Sequence, residues 1–319
     1  MRRIFSLAIT AALVIVLSAC SSPSDSSSGQ KGCTAPNAGG TSKSVTVSGS
    51  FGTAPTVKFK TPLAISDTQR SVIVTGKGTK AGSGDLVQAG LTAYNGKTGK
   101  QIAAPEGYDS SDTGVALQLD GTRFLPGFVD ALNCLPTGSR AVVTATAEGA
   151  FSSVYSQLGL SAKDPVVLVA DLFRLLPLKA TGTPVAPVAG LPTVSLSSTG
   201  APTVTIPKTA APTQTTIATL KKGTGTTVLP TSSVVIQYSG VLWRTGKVFD
   251  ATWTRGAPYS GAVSSFVPGF SKALEGQTVG SQVLAIIPPA DGYGSQGSGE
   301  ITGTDTMVFV IDILAVNGS

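Results

Sequence analysis

The chain has 319 residues, with 23 Lys+Arg against 17 Asp+Glu, 13% charged residues and no histidine. Its basic surplus is small and scattered without a run, which excludes a nucleic-acid footprint. Without histidine, and with three cysteines in all, Ser-His-Asp and Cys-His nucleophiles, histidine acid–base chemistry and a zinc site are excluded as well.

Arg2 and Arg3 open the chain, and an apolar run follows from Ile4 to Leu17. The run falls short of the roughly 20 residues that span a bilayer, so residues 1–19 read as a signal peptide. Leu17-Ser18-Ala19-Cys20 resembles a bacterial lipobox. The resemblance implies cleavage before Cys20 and lipid, palmitate included, on its thiol and new amine. The expectation is a lipoprotein held to the cell membrane on its extracytoplasmic side, anchored rather than spanning. Without Arg2 and Arg3 there remain 21 basic against 17 acidic residues, or +4. Residues 20–43, rich in Ser and Gly, read as a flexible tether. With Cys20 assigned to lipid, Cys33 and Cys134 remain, and outside the membrane two thiols stay oxidised. A Cys33–Cys134 disulfide is expected, two unpaired thiols with Cys134 buried being the alternative.

The 38 glycines and abundant Val, Thr and Ser point to a β-dominated globular chain. The roughly 300 residues after the leader suffice for two domains. Internal repeats place them. Ala54-Pro55-Thr56-Val57 recurs as Ala201-Pro202-Thr203-Val204, Thr98-Gly99-Lys100 as Thr245-Gly246-Lys247, and Phe124-Leu125-Pro126-Gly127-Phe128 as Phe266-Val267-Pro268-Gly269-Phe270. Asp164, Val167, Val169 and Asp171 recur as Asp305, Val308, Val310 and Asp312. The offset stays between 141 and 147, as a tandem duplication gives, and a period this long means whole domains rather than a solenoid. The boundaries read as 44–178 for the first copy, 179–200 for a Pro/Thr/Ala-rich linker that is extended and semi-rigid, and 201–319 for the second copy.

In the second copy Val234–Tyr238, Gln282–Ile287 and Met307–Leu314 have strand character. Pro268-Gly269 precedes a short helix over Phe270–Glu275, closed by Gly276. Gly223-Thr224-Gly225 and Gly292-Tyr293-Gly294 lack the pattern of phosphate-binding loops and read as turns. Val234 to Gly240, Thr245 to Asp250, Phe266 to Gly276, Val279-Gly280-Ser281, Pro288 to Gly294 and Met307 to Leu314 follow in an order that resembles the FKBP-type peptidyl-prolyl cis-trans isomerases. The resemblance covers Ile217–Val316 well and Val72–Leu176 more weakly. It implies an α+β, β-dominated fold: two tandem domains, each a twisted antiparallel sheet wrapped on one short helix.

By the same resemblance Tyr238, Phe249, Asp250, Phe270, Tyr293 and Phe309 are the catalytic residues, with Tyr259, Phe266, Val267 and Ile301 gripping a prolyl ring and Arg255 as a loop cation near Asp250. The Tyr293 hydroxyl and the Ile301 N–H are expected to meet ligand carbonyls. No cofactor and no metal is implied. Phe270 stands where the family commonly has tryptophan, Phe266 is bulkier than the usual aliphatic, and Gly261 replaces a second aromatic. The first copy has Leu91, Ile102, Ala103, Phe151 and Leu168 in place of Tyr238, Phe249, Asp250, Tyr293 and Phe309, so it keeps apolar bulk and loses every polar handle. It is expected to be degenerate, with little or no activity. The function implied is isomerisation of X–Pro bonds in exported polypeptides, with macrolides as further ligands. A non-catalytic peptide-binding or chaperone lipoprotein is the alternative.

Overall fold

The computed structural model describes residues 34–108, 114–120 and 125–317. The leader, the lipidation site Cys20 and the expected disulfide partner Cys33 lie outside these residues; Cys134 is disulfide-bonded.

Each copy builds one antiparallel sheet, and the strand order is the same in both. In the first copy it runs Gln69–Val74, Ser139–Thr146, Pro165–Leu176, Leu86–Asn95, Gln101–Glu106, with Val115–Gln118 also pairing to Leu86–Asn95. In the second it runs Thr216–Lys222, Gln282–Ile287, Met307–Asn317, Ser233–Leu242, Val248–Ala251, with Tyr259–Ala262 also on Ser233–Leu242. Two register shifts recur at matching places. One falls at Val72/Val74 and at Thr219/Lys221, the other at Gln88/Ala89 and at Val235/Ile236. An inserted residue bends a strand and raises its local twist, so the duplication preserves the curvature of the sheet as well as its order.

One face of each sheet carries the short helix, Pro126–Leu132 or Pro268–Leu274. Proline is tolerated there because a first-turn N–H has no intrahelical partner. The second helix starts two residues before its predicted start at Phe270, and Gly276 follows its cap with φ +71°, a left-handed conformation that suits glycine.

The opposite face of each sheet is covered too. A hairpin of Thr46–Ser48 and Thr56–Lys58 lays Val47 and Val57 against Tyr94, Val142, Val167 and Val169. Its counterpart, Thr193–Leu196 with Pro202–Thr205, lays Val194 and Val204 against Val241, Leu284, Ile286 and Val308. Burial from both sides explains why Gln282–Ile287 and Met307–Val316 are buried at every position and read as unbroken apolar runs rather than alternating ones.

Two segments expected to be loose are therefore partly built in. Within 179–200, Thr183–Pro184 pairs with Lys221–Lys222 at the sheet edge, and Thr193–Leu196 forms its hairpin strand. Proline composition does not forbid this, because an edge position needs no donated N–H. Within 20–43, residues Gly40–Lys43 form a helical turn whose Thr41 and Ser42 N–H groups donate to Gln69 Oε1 at 3.0 and 3.2 Å.

A buried aspartate pins the covering segment in each copy. Asp171 pairs with buried Arg140 (Nε–Oδ1 2.5 Å), and Arg140 also donates to the carbonyls of Gly49, Ser50 and Thr53 at 2.7–3.0 Å. In the second copy Gln282 replaces the arginine, donating to Asp312 at 2.7 Å, while the Ala180 N–H donates to the other carboxylate oxygen at 2.8 Å. Burial holds the Asp312 carboxyl above its ordinary range, against the lowering effect of these hydrogen bonds.

Candidate active site

The second copy opens a cleft of about 290 Å³ between the helix, the sheet and the loops around it. Its residues come from separate elements. Tyr238 sits on Ser233–Leu242, Phe249 and Asp250 on Val248–Ala251, Tyr259 on Tyr259–Ala262, Phe309 on Met307–Asn317. Val267 is the N-cap of the helix that carries Phe270, and Tyr293 lies between two 3-10 turns, Pro289–Asp291 and Gly294–Gln296. Nine of the eleven residues named from sequence line this cleft, together with Ser265, which sequence reasoning did not single out.

The walls are a chain of rings. Phe309 meets Phe249 at 5.5 Å, Phe270 at 5.0 Å and Tyr238 at 6.0 Å between centroids, each edge to face. Tyr238 and Phe270 are 5.9 Å apart. Such edge-to-face contacts place the positive ring edge on the negative face of its neighbour, which locks each ring's orientation. Phe266 differs: it stacks on Phe270 at 4.6 Å with planes 22° apart, and Tyr259 closes on it at 5.6 Å. The space left by Gly261 explains how, since a Cβ there would stand 2.8 Å from the Tyr259 ring. Gly240 is a second unheralded requirement. Two residues along from Tyr238 it lies on the same face of the strand, and a Cβ would meet Phe249 at 2.6 Å and Phe309 at 2.7 Å.

The polar groups gather at one side. The Tyr238 hydroxyl donates to Asp250 Oδ2 at 2.5 Å, Arg255 pairs with Asp250 Oδ1, and Arg255 Nη2 donates to the Tyr238 oxygen at 2.9 Å. The guanidinium also lies over the Tyr238 ring, 5.5 Å from its centroid. Burial first, then the hydrogen bond to the carboxylate, push the Tyr238 hydroxyl up to about 12, so it is a neutral donor at any physiological pH. Arg255 thus serves the cleft through its partners and does not line it. Tyr293 stands at the rim, 42% exposed.

Ile301 is elsewhere. It is buried in the hydrophobic core, and its N–H, expected to meet a ligand, instead donates to the Ser298 carbonyl at 2.9 Å within a tight turn. The Val267 N–H, at the helix N-cap, lies outside the intrahelical hydrogen-bond pattern.

The first copy shows the same positions without the chemistry. Phe151, matching exposed Tyr293, is turned into the core at 3% exposure, and Leu168 is fully buried. Leu91 and Ile102 pack against that core from its margin.

The cleft belongs to the stretch that matches known proteins. Residues 225–314 match the model of the FKBP-type peptidyl-prolyl cis-trans isomerase domain. A probable FK506-binding protein of Corynebacterium glutamicum is 33% identical over 93 residues, which is 29% of this chain and 79% of that protein. The FK506-binding protein of Streptomyces anulatus is 33% identical over 99 residues, 30% of this chain and 80% of that protein. The crystal structure of FkpA from Escherichia coli aligns with 39% of this chain at 29% identity and a TM-score of 0.32, and the chain spans about half of it, 52%. With two relatives matched over more than three quarters of their lengths at one-third identity, the chain belongs to the FKBP-type peptidyl-prolyl cis-trans isomerases.

Proposed function

We propose that the second copy isomerises X–Pro bonds of exported polypeptides in its aromatic cleft, by binding the twisted amide and without covalent chemistry. The observation that carries this reading is the arrangement of the cleft: rings on most sides, and the Tyr238 hydroxyl, Asp250, the Tyr293 hydroxyl and the Val267 N–H within it or at its rim.

The uncatalysed barrier is about 18–20 kcal/mol, because the planar amide has partial double-bond character. A site that binds the twisted amide better than either planar form lowers this barrier, by about tenfold in rate for each 1.4 kcal/mol. Ring walls withdraw water from the carbonyl preceding proline, whose hydration favours the planar, charge-separated form. As the amide twists, resonance is lost and the nitrogen becomes pyramidal. In this reading the Tyr293 hydroxyl and the Val267 N–H donate to substrate carbonyls and hold the backbone while that bond turns. Asp250, fixed between Arg255 and Tyr238, supplies a fixed negative field beside the prolyl ring. No nucleophile takes part.

The lipobox-like Leu17-Ser18-Ala19-Cys20 supports a lipid anchor on the extracytoplasmic face, and exported chains are the clients within reach of it. Two relatives are named for FK506 binding; for this chain we propose a weaker macrolide site, because Phe266 already covers part of Phe270. The test is a protease-coupled assay of the full chain on a Phe-Pro tetrapeptide. Catalysed isomerisation is expected, and its absence overturns the reading in favour of peptide binding without turnover. Mass analysis of the mature N-terminus tests the anchor: an unmodified Cys20 rules it out.

A further inference from the structure

The chain contains a second cavity, larger than the aromatic cleft, at the junction of the two copies. Its volume is about 430 Å³. Leu91, Leu125 and Phe128, which match Tyr238, Val267 and Phe270, form its first-copy wall, so it is what the prolyl pocket of that copy has become. The other wall comes from the second copy, where Val235, Pro258 and Ser260 close over it. The two copies are joined beside it: Asn317 Oδ1 accepts from the Ala116 N–H at 2.9 Å, and Gln118 Nε2 donates to the Gly256 carbonyl at 3.4 Å.

The charged groups among the described residues that line the cavity are of one sign. Glu106 and Asp120 line it, and among its described lining residues there is no lysine or arginine. Gln118 also lines it, and its Oε1 is buried with no hydrogen-bond partner, while its Nε2 is committed to Gly84 and Gly256. A buried acceptor without a donor is unfavourable by about 1–3 kcal/mol and marks a place where a ligand N–H fits. Apolar walls call for an apolar side chain, and acidic side chains on the rim call for positive charge.

We propose that this cavity is a second, non-catalytic peptide site. It takes an apolar side chain of a non-native polypeptide whose backbone N–H donates to Gln118 Oε1 and whose neighbouring Lys or Arg lies against Glu106. The wall between it and the cleft is one segment. Pro258 and Ser260 face the cavity and Tyr259 faces the cleft, as alternation along an extended strand dictates. A polypeptide held in the cavity is therefore kept beside the prolyl site on the other side of that strand.

The test is fluorescence anisotropy of the full chain with a fluorescein-labelled, proline-free peptide, Lys-Leu-Phe-Leu-Lys. Leu125→Trp, which fills the cavity, is expected to weaken binding at least tenfold, and Gln118→Leu several-fold. Phe249→Ala, in the cleft, should leave it unchanged, and a Glu-Leu-Phe-Leu-Glu peptide should bind at least tenfold more weakly. If Leu125→Trp unfolds the chain, Val115→Trp, also lining the cavity, takes its place. Parent protein that does not bind the peptide overturns the proposal, as does binding lost in Phe249→Ala or kept in the cavity-filled variant. Turnover of the Phe-Pro tetrapeptide is expected to be unchanged in the cavity variants. An inactive parent in that assay would sink the isomerase reading alone, since the anisotropy does not depend on it.

Discussion

Gly240 sets the width of the prolyl cleft. Any side chain there strikes Phe249 and Phe309 at under 3 Å, and both rings are held edge to face by their neighbours. Gly240→Ala should lower stability by about 1–3 kcal/mol through overpacking and reduce kcat/KM together with it, as thermal unfolding and the coupled assay will show. Phe249→Ala is expected to lower kcat/KM by about tenfold to a hundredfold, equivalent to about 1.4–2.8 kcal/mol of transition-state binding. Asp250→Ala should do the same while leaving the fold intact, because the carboxylate is half exposed. A fold left intact with activity unchanged would remove Asp250 from the mechanism. The Tyr238 hydroxyl gives a pH signature. Its value is raised to about 12, so its contribution to stability is full below the ordinary value near 10 and is lost as pH rises through 12. Ultraviolet titration should show a tyrosine ionising near 12 that disappears in Tyr238→Phe, apart from Tyr108, whose hydroxyl burial raises further still. At this scale the ring positions were legible through the order of motifs that resembles the family and not through composition, since aromatics are 6% of the chain. Nothing in the sequence signalled that the Ile301 N–H is taken up by the Ser298 carbonyl. Which N–H a local turn consumes leaves no trace in side-chain identity.

Among the elements, the hairpins that cover the outer faces of the sheets were the least legible. Thr193–Leu196 is short and lies in a Pro- and Gly-rich stretch, and the only valines of its hairpin are Val194 and Val204, among mostly polar and small residues. Its partner positions become apolar only when the outer face of the sheet is seen to need cover. Unbroken runs such as Gln282–Ile287 did carry that information, since a strand buried on one face alternates and one buried on both does not. Val204→Asp is expected to lower stability by several kcal/mol, about 2–5, by placing an unpaired charge against Val241 and Leu284; a change near zero in urea denaturation would mean that the hairpin is not held. The neighbouring stretch is pinned by Asp312 through the Ala180 N–H. Asp312→Ala should therefore make the bond after Lys179 cleave faster in limited trypsin digestion, with the rest of the chain resistant.

For the molecule as a whole, duplication was the most legible feature, since repeated loop motifs keep a near-constant offset. How the copies meet was not. Leu86, Ala116 and Leu176 of the first copy cluster with Val235, Leu314 and Ala315 of the second, residues that in the sequence look like ordinary strand interior. The second copy's last strand therefore belongs to two cores at once, its own and the joint. Val235→Asp should split calorimetric unfolding into two transitions, and a single sharp transition would show that the copies are coupled by other contacts.

The register shifts at Val72/Val74 and Gln88/Ala89 sit where those at Thr219/Lys221 and Val235/Ile236 sit. Because each such irregularity re-aims every side chain beyond it, the first copy still points its substituents along the same directions as the second. What separates them is a handful of side chains carried on a shared scaffold. The first half is thus a ready chassis, on which chemistry can be installed or replaced without redesigning the backbone.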